Sequence, residues 1–282
     1  MNWIRSKTLL FIFIVLASFN GLLSCGGSNT SNPDATGAAS GYTLNSVAEG
    51  GSRYFKAELL EQNPSVKNTG IVLLHGRGGN PNSAVVRQLR KDLYGRGYTT
   101  LSIQEPVPSP YTEGTLVPFQ AYVDDINGGN YVFPETYARV RTAINALSTE
   151  GIKNIVLIGF SMGSRMVSAH MANGIIDELP IIGVIGVGMY GTSIDPLNIT
   201  STISAITAPV LDIYGDKDIN AVNTAIAHKS AYEGAGMGAK YTQVALICDS
   251  GLTTNECHKL VNLKGTNLSQ LEVTVAAWIA SL

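Results

Sequence analysis

The sequence predicts an α/β protein: a mostly parallel sheet of short strands with helices on both faces. Three observations carry this prediction. Short, wholly apolar runs such as Ile71-Val72-Leu73-Leu74 and Ile155-Val156-Leu157-Ile158 read as strands buried on both sides. Segments with apolar residues at helical spacing lie between such runs. The composition supports a large core, because 45% of the 282 residues are hydrophobic and only 14% charged, with 30 Gly for tight turns. The formal net charge of −2 and the absence of any Lys/Arg block exclude a nucleic-acid binder that works through a basic surface. Three Cys are too few for a disulfide-built scaffold.

The first residues read as a sorting signal. Met1 to Lys7 carries Arg5 and Lys7 and no acid, and Thr8 to Leu23 is an apolar run. A basic start, an apolar middle and small residues at the end make an export signal. The ending Leu22-Leu23-Ser24-Cys25 resembles the bacterial lipobox. That resemblance implies cleavage after residue 24, lipid attachment at Cys25 and a membrane partner through the anchor. A plain secretory signal with a chance Cys is the alternative. Residues 25–41 are Gly/Ser/Asn/Thr-rich and read as a flexible tether. Gly26 after the Cys points, by resemblance to Gram-negative sorting, to the outer membrane of a bacterial cell envelope. No composition break divides Tyr42 to Leu282, so residues 42–282 are expected to form one domain.

Within that domain Arg53 to Leu60 suggests an early strand, and Ile71 to Leu74 a second. Asn82 or Ser83 is placed to cap a helix running through Arg96, with Val85, Val86, Leu89 and Leu93 on one side. Gly95 and Gly97 are placed to stop it. A strand over Thr99 to Ile103 follows. A helix from about Pro134 to Thr149 puts Tyr137, Val140, Ile144 and Leu147 on one stripe. Ile155 to Ile158 is the most strand-like run, and a helix over Met162 to about Ile176 follows it. Ile181 to Val187, Val210 to Tyr214 and Tyr241 to Ile247 supply three more strands, and a final helix covers roughly Leu268 to Ser281.

Gln104 to Phe133 breaks the alternation. It holds Pro106, Pro108, Pro110 and Pro118, and also Tyr111, Phe119, Tyr122, Tyr131 and Phe133. A structureless loop this long is usually functional or disordered, and the aromatic content argues against disorder. It leaves a parallel strand, so it starts at the carboxyl edge of the sheet, where ligands bind in open α/β folds.

Three pieces of chemistry fall on that edge. Gly159-Phe160-Ser161-Met162-Gly163 matches G-x-S-x-G between an apolar strand and a helix, the setting of a nucleophile elbow. The alternative is a Gly-rich turn with an inert Ser161. His75-Gly76-Arg77-Gly78-Gly79 follows its own strand, and a turn so rich in Gly lets a backbone N–H approach a reacting carbonyl. An oxyanion hole built from these two turns takes the N–H groups of Arg77 and Met162. His75 itself reads as structural. A serine nucleophile needs a base, and the base an orienting carboxylate. Among the later histidines, His170 lies down the helix away from the elbow and His228 is expected to face solvent. His258, in a loop after the last strand, is the expected base. The acid comes from Asp212-Ile213-Tyr214-Gly215-Asp216-Lys217-Asp218, with Asp218 preferred over Asp216 by resemblance to a strand-Gly-x-x-Asp pattern; Asp195 is a substitute. Turn and cap chemistry is the competing reading for each. Arg165, one helical turn beyond Ser161, is expected to pair with a surface acid, the other reading being contact with an anionic group.

From about Arg53 to Leu282 the chain resembles the α/β-hydrolase superfamily. The resemblance rests on His75-Gly76-Arg77-Gly78-Gly79, Gly159-Phe160-Ser161-Met162-Gly163, Gly215-Asp216-Lys217-Asp218 and His258. Leu74 to Asn80 is also similar to a bacterial family of uncharacterised hydrolase-like proteins (DUF3530). The superfamily implies an eight-stranded, mostly parallel sheet, a Ser–His–Asp triad and a small-molecule, ester-like substrate. It implies no metal and no organic cofactor. A binding protein on the same fold, and a peptidase or amidase with the same triad, are the alternatives. About two dozen residues separate the strands Ile181–Val187 and Val210–Tyr214, which leaves no room for a large helical lid. Export places Cys248 and Cys257 in an oxidising compartment, and their spacing closes a short loop beside His258; a disulfide is expected there.

Overall fold

A computed structural model of the chain describes residues 40–48, 51–60, 68–174, 180–237, 240–260 and 266–282. The expected signal over 1–24, the lipid attachment at Cys25 and the tether as far as residue 39 lie outside the described residues. Among the described residues no helix is long and apolar enough to cross a membrane.

The elements run β1 (Ser40–Ala48), β2 (Gly51–Leu60), β3 (Thr69–Leu74), α1 (Ala84–Gly95), β4 (Thr99–Ile103), α2 (Phe119–Gly128), α3 (Val132–Thr149), β5 (Asn154–Phe160), α4 (Met162–Asn173), β6 (Ile181–Val187), α5 (Ile199–Ile203), β7 (Val210–Gly215), α6 (Ile219–Gly234), β8 (Tyr241–Leu246), α7 (Thr254–Lys259) and α8 (Thr266–Ala280). The eight strands form one sheet in the order β1-β2-β4-β3-β5-β6-β7-β8. β4, β3 and β5 through β8 run parallel. β1 and β2 pair antiparallel, and β2 is antiparallel to β4.

The apolar runs are buried because successive side chains feed opposite faces. In β3, Val72 and Leu74 join one core while Ile71 and Leu73 join the other. β5 repeats this, with Ile155 and Leu157 on the first face and Val156 and Ile158 on the second. The first face is covered by α3, through Val140, Ala143, Ile144 and Leu147, and by α4, through Met162, Met166 and Val167. The second face is covered by α1, through Val85, Val86, Leu89 and Leu93, and by α8, through Leu271, Val275 and Ile279. The expected fold class, a mostly parallel eight-stranded sheet between helical layers, is the observed one.

Four local expectations are corrected. β1 was not legible, because most of its side chains are exposed and few are large and apolar. It takes in Ser40 and Gly41, which composition assigns to the tether. It is held by nine-residue pairing to β2 and by a buried contact, Ser46 Oγ donating to Glu135 Oε1 at 2.7 Å. Second, Gln104 to Phe133 is not a structureless loop. It contains α2 and the first two residues of α3, and Val117, Tyr122, Val132 and Phe133 are buried. Its early part is pinned by Arg139, which donates to Gln104 O at 2.9 Å and pairs with Glu113 at 2.7 Å and Glu135 at 2.8 Å. Third, His228 does not face solvent: it is fully buried, 3.6 Å from Asp212. The buried face of α6 carries Ala221, Ala225, His228 and Tyr232, while Ile226 is 76% exposed. Fourth, His258 sits not in an open loop but on the short helix α7, begun by a capping box of Thr253 and Glu256.

Candidate active site

The carboxyl ends of β3, β5, β6 and β7 bring the chemistry together. Ser161 follows β5 directly and is the N-cap of α4, with φ 54° and ψ −110°. That is a positive φ for a non-Gly residue, a strained conformation that the surroundings must impose. The Ser161 N–H donates to Val187 O at 2.9 Å, tying the turn to the end of β6. Two glycines let the turn close. A Cβ on Gly163 would sit 2.6 Å from His75 O and closer still to Leu74 O. One on Gly159 would strike the backbone of Gly163 and Ser164. The small residues of G-x-S-x-G are thus needed because α4 starts in contact with the backbone of β3 and β5.

His258 Nε2 lies 2.9 Å from Ser161 Oγ, and His258 Nδ1 lies 2.5 Å from Asp218 Oδ2. Asp218 is fully buried and His258 partly so. Asp218 also caps α6, accepting from Ala221 N–H. A carboxylate on Nδ1 leaves Nε2 as the lone-pair nitrogen facing the hydroxyl. The arrangement is able to take a proton from Ser161 and hold the resulting imidazolium.

The other acids are elsewhere. Asp216 accepts from Cys248 N–H at 2.9 Å and braces the end of β8. Asp212 is buried within β7, where Tyr241 OH and Gln243 Nε2 donate to it. Asp195 is exposed and accepts from Ser201 Oγ at 2.5 Å. His170 is buried in the core beside Tyr137. Cys248 and Cys257 form a disulfide that joins the segment after β8 to α7, next to His258. Gly215 makes room for it, since a Cβ there would overlap both sulfurs. Asp216, Cys248 and Cys257 have ligating atoms close together, but the two sulfurs are bonded to each other.

The second turn has the form its glycines suggest. Gly79 N–H donates to Gly76 O at 3.0 Å, and Gly78 has φ 75°. Among the described residues no hydrogen bond is made by the Arg77 or Met162 N–H. Met162 opens α4, so its N–H also carries the positive end of the helix dipole. His75 Nε2 accepts from the Glu105 N–H at 3.0 Å, so Nδ1 is the protonated nitrogen and donates to Gly76 O at 2.8 Å. Burial pushes the His75 pKa down to about 4. The ring is neutral and ties the turn to the segment after β4.

Sequence reasoning missed several residues around this edge. Gly188, at φ 60°, leaves space for the imidazole: a Cβ would sit 3.0 Å from His258 Cε1. Its signal was a Gly directly after a predicted strand. The rings of Phe160 and Tyr190 flank that of His258, at 5.4 and 5.6 Å between centroids. Arg165 does not pair with a surface acid. It is buried against the cavity, because α4 is enclosed along its first two turns, and donates from Nε to Tyr190 O at 2.7 Å. The cavity itself measures about 240 Å³ and opens onto Ser161 and His258. Leu116 and Phe119 contribute part of its wall, Tyr122 is in the core beneath, and Tyr111 faces solvent.

Glu105, beside this turn, has both carboxyl oxygens buried without partners. Burial, helped by Glu113 and opposed by Arg139, pushes its pKa up to about 8. The folded protein therefore holds a proton that the unfolded chain releases near its ordinary value of 4.5. The sign follows from linkage: the contribution of Glu105 to stability is full below pH 4.5 and is lost as pH climbs to about 8. Glu105→Gln is expected to raise the melting temperature at pH 8.5 by about 5 °C relative to wild type and to change it little at pH 5. Parallel melts at the two pH values check this; equal shifts at both would remove the titration argument.

No family model matches the chain and no curated protein does, so the DUF3530 likeness rests on Leu74 to Asn80 alone. Solved structures do match in fold. A thermostable carboxyl esterase from Bacillus coagulans aligns with a TM-score of 0.60 at 12% identity, covering 86% of this chain and 98% of that one. An esterase from Pyrococcus furiosus aligns at 0.58 and 12% identity, covering 86% and 90%. A dienelactone hydrolase from Anabaena variabilis aligns at 0.54 and 18%, covering 86% and 98%. With its strand order, its elbow after β5 and these neighbours matched over most of the described sheet, the chain folds as an α/β-hydrolase.

Proposed function

We propose that this protein is a serine hydrolase that cleaves a carboxylic ester of a small molecule. The carrying observation is the hydrogen-bonded chain Ser161–His258–Asp218 with Ser161 held at positive φ on the elbow. The esterase neighbours lend support at the level of fold. In this reading His258 Nε2 takes the Ser161 proton as Oγ attacks the ester carbonyl carbon. The N–H groups of Met162 and Arg77 donate to the oxyanion of the tetrahedral intermediate. His258 then gives the proton to the departing alkoxide, leaving an acyl group on Ser161. Water attacks that ester with His258 again as base, releasing the acid and restoring the hydroxyl. Asp218 holds the ring and offsets its positive charge in both halves. No step asks for a metal or an organic cofactor.

The lipobox-like Leu22-Leu23-Ser24-Cys25 supports a second part of the proposal, an enzyme lipid-anchored at Cys25 in a bacterial cell envelope and facing away from the cytoplasm. The Cys248–Cys257 disulfide fits such an oxidising location.

A fluorophosphonate probe tests the chemistry directly. Purified wild type is expected to be labelled covalently, and Ser161→Ala not at all. A well-folded wild type that stays unlabelled, and turns over no ester, would instead favour a binding protein.

A further inference from the structure

The cavity over Ser161 is cationic although the chain as a whole is acidic. Arg77, Arg165 and Lys259 line it, and no Asp or Glu does. Arg77 and Lys259 are exposed and open to ordinary solvation. Arg165 is different, since it is only 2% exposed.

Buried guanidinium groups need partners, because an unpaired buried charge is costly. Two other buried arginines obey this. Arg139 pairs with Glu135 and Glu113. Arg90 donates to Pro81 O, Ser102 Oγ and Asn82 Oδ1. Among the described residues Arg165 makes one hydrogen bond, from Nε to Tyr190 O, and no carboxylate pairs with it. Its two Nη groups hydrogen-bond to none of the described residues, yet they are not sealed in, and the side chain forms part of the cavity wall. The group is also held still: it stacks over the Tyr190 ring at 4.3 Å and the Phe119 ring at 4.9 Å. Burial and the like charge of Arg77 both weigh against its positive charge. An anion in the cavity would relieve both.

Resting on the ester-hydrolase reading above, we propose that the substrate carries a carboxylate and that Arg165 binds it through its two Nη groups, one helical turn from Ser161. A planar fork fixed by aromatic stacking matches a carboxylate in two-point geometry. Arg165 is in this view a specificity-determining residue, and the aromatic pair Tyr190 and Phe119 sets its orientation. Tyr190 also meets the His258 ring edge-on, so one side chain positions both the anion-binding group and the base.

The test uses two pairs of esters, each a free acid beside its methyl-capped neutral twin. The 4-nitrophenyl monoester of adipic acid puts the carboxylate in the acyl half. 4-Acetoxybenzoic acid puts it in the alcohol half. Wild type is expected to prefer the free acid in one pair by about tenfold in kcat/KM, which identifies the half that reaches Arg165. For that acid alone, KM is expected to rise as ionic strength rises. In Arg165→Met the preference is expected to vanish, and in Arg165→Lys part of it is expected to return. Turnover of neutral esters with no preference for either acid overturns the inference and leaves the hydrolase reading standing. Absence of turnover on all four esters, together with no fluorophosphonate labelling of folded protein, removes the hydrolase reading and the inference with it. A preference that survives intact in folded Arg165→Met also overturns it. If Arg165→Met does not fold, the wild-type preference and its salt dependence decide.

Discussion

Replacing Ser161 by Ala is expected to lower kcat/KM on a 4-nitrophenyl ester by about 10⁴-fold or more, with the fold intact. The geometry gives the reason. Ser161 Oγ is the atom 2.9 Å from His258 Nε2, and among the described residues no other hydroxyl bonds that nitrogen. His258→Ala is expected to cost a similar factor, because the hydroxyl then has no base. The double variant is expected to be no worse than either single one, since the two residues act as a unit. Asp218→Asn is expected to cost about 10³-fold or more, because an amide on His258 Nδ1 favours the wrong tautomer at Nε2. Asp216→Asn is the control. Its carboxylate holds the Cys248 N–H and does not touch the imidazole, so activity is expected to stay within about twofold. Steady-state kinetics on these five proteins, with circular dichroism to verify folding, is the measurement. Retention of full activity by Ser161→Ala or His258→Ala would falsify the triad assignment.

Gly163→Ala is expected to damage both stability and activity strongly. The added Cβ would sit 2.6 Å from His75 O and nearer still to Leu74 O. Both atoms are main chain in or beside β3, at the centre of the sheet, so neither has a rotamer by which to yield. The start of α4 must move instead. Overpacking of this kind costs about 3 kcal/mol, which corresponds to a fall of about 5–10 °C in melting temperature. Moving the start of α4 also shifts the Met162 N–H and Ser161 relative to His258, and a displacement of about 1 Å can cost about 10²-fold in rate. Gly234→Ala provides the contrast. It lies in α6 with nothing near the position of a Cβ, and is expected to be neutral or slightly stabilising. Thermal melts and fluorophosphonate labelling of both variants check the pair. A Gly163→Ala protein that melts and labels like wild type would mean that α4 is not seated on β3 as described.

Much of the molecule was legible before any coordinate. The strands β3, β5, β6 and β7 were readable because burial on both faces selects continuous apolar runs. The helices α1, α3 and α8 were readable because one face of each must be apolar. The two Gly-rich turns stood out because close backbone approach excludes side chains, and that exclusion is written in the residue types. His258 was preferred among three histidines by chain order and by its place after the last strand, at the edge that carries Ser161.

What escaped had a different cause in each case. β1 carries little apolar signal because it lies at the sheet edge with most side chains in solvent. α6 buries two alanines, Tyr232 and His228, which meets Asp212 of β7, and it exposes Ile226, so its hydrophobic pattern is weak. Asp218 stands two residues from Asp216 in similar turn chemistry, and local sequence has no physical means to separate them. The separation needs the direction of each side chain at the end of β7, with one pointing to α7 and the other to β8. Gly188, Tyr190 and Arg165 come from two different segments and meet only where β6 ends against the start of α4. The sequence by itself determined the layers, the edge that carries the chemistry and the types of residue there. Only the tertiary structure decided which acid meets His258 and that Arg165 is buried without a carboxylate. Periodicity and turn chemistry act over a few neighbouring residues, whereas those contacts join positions tens of residues apart.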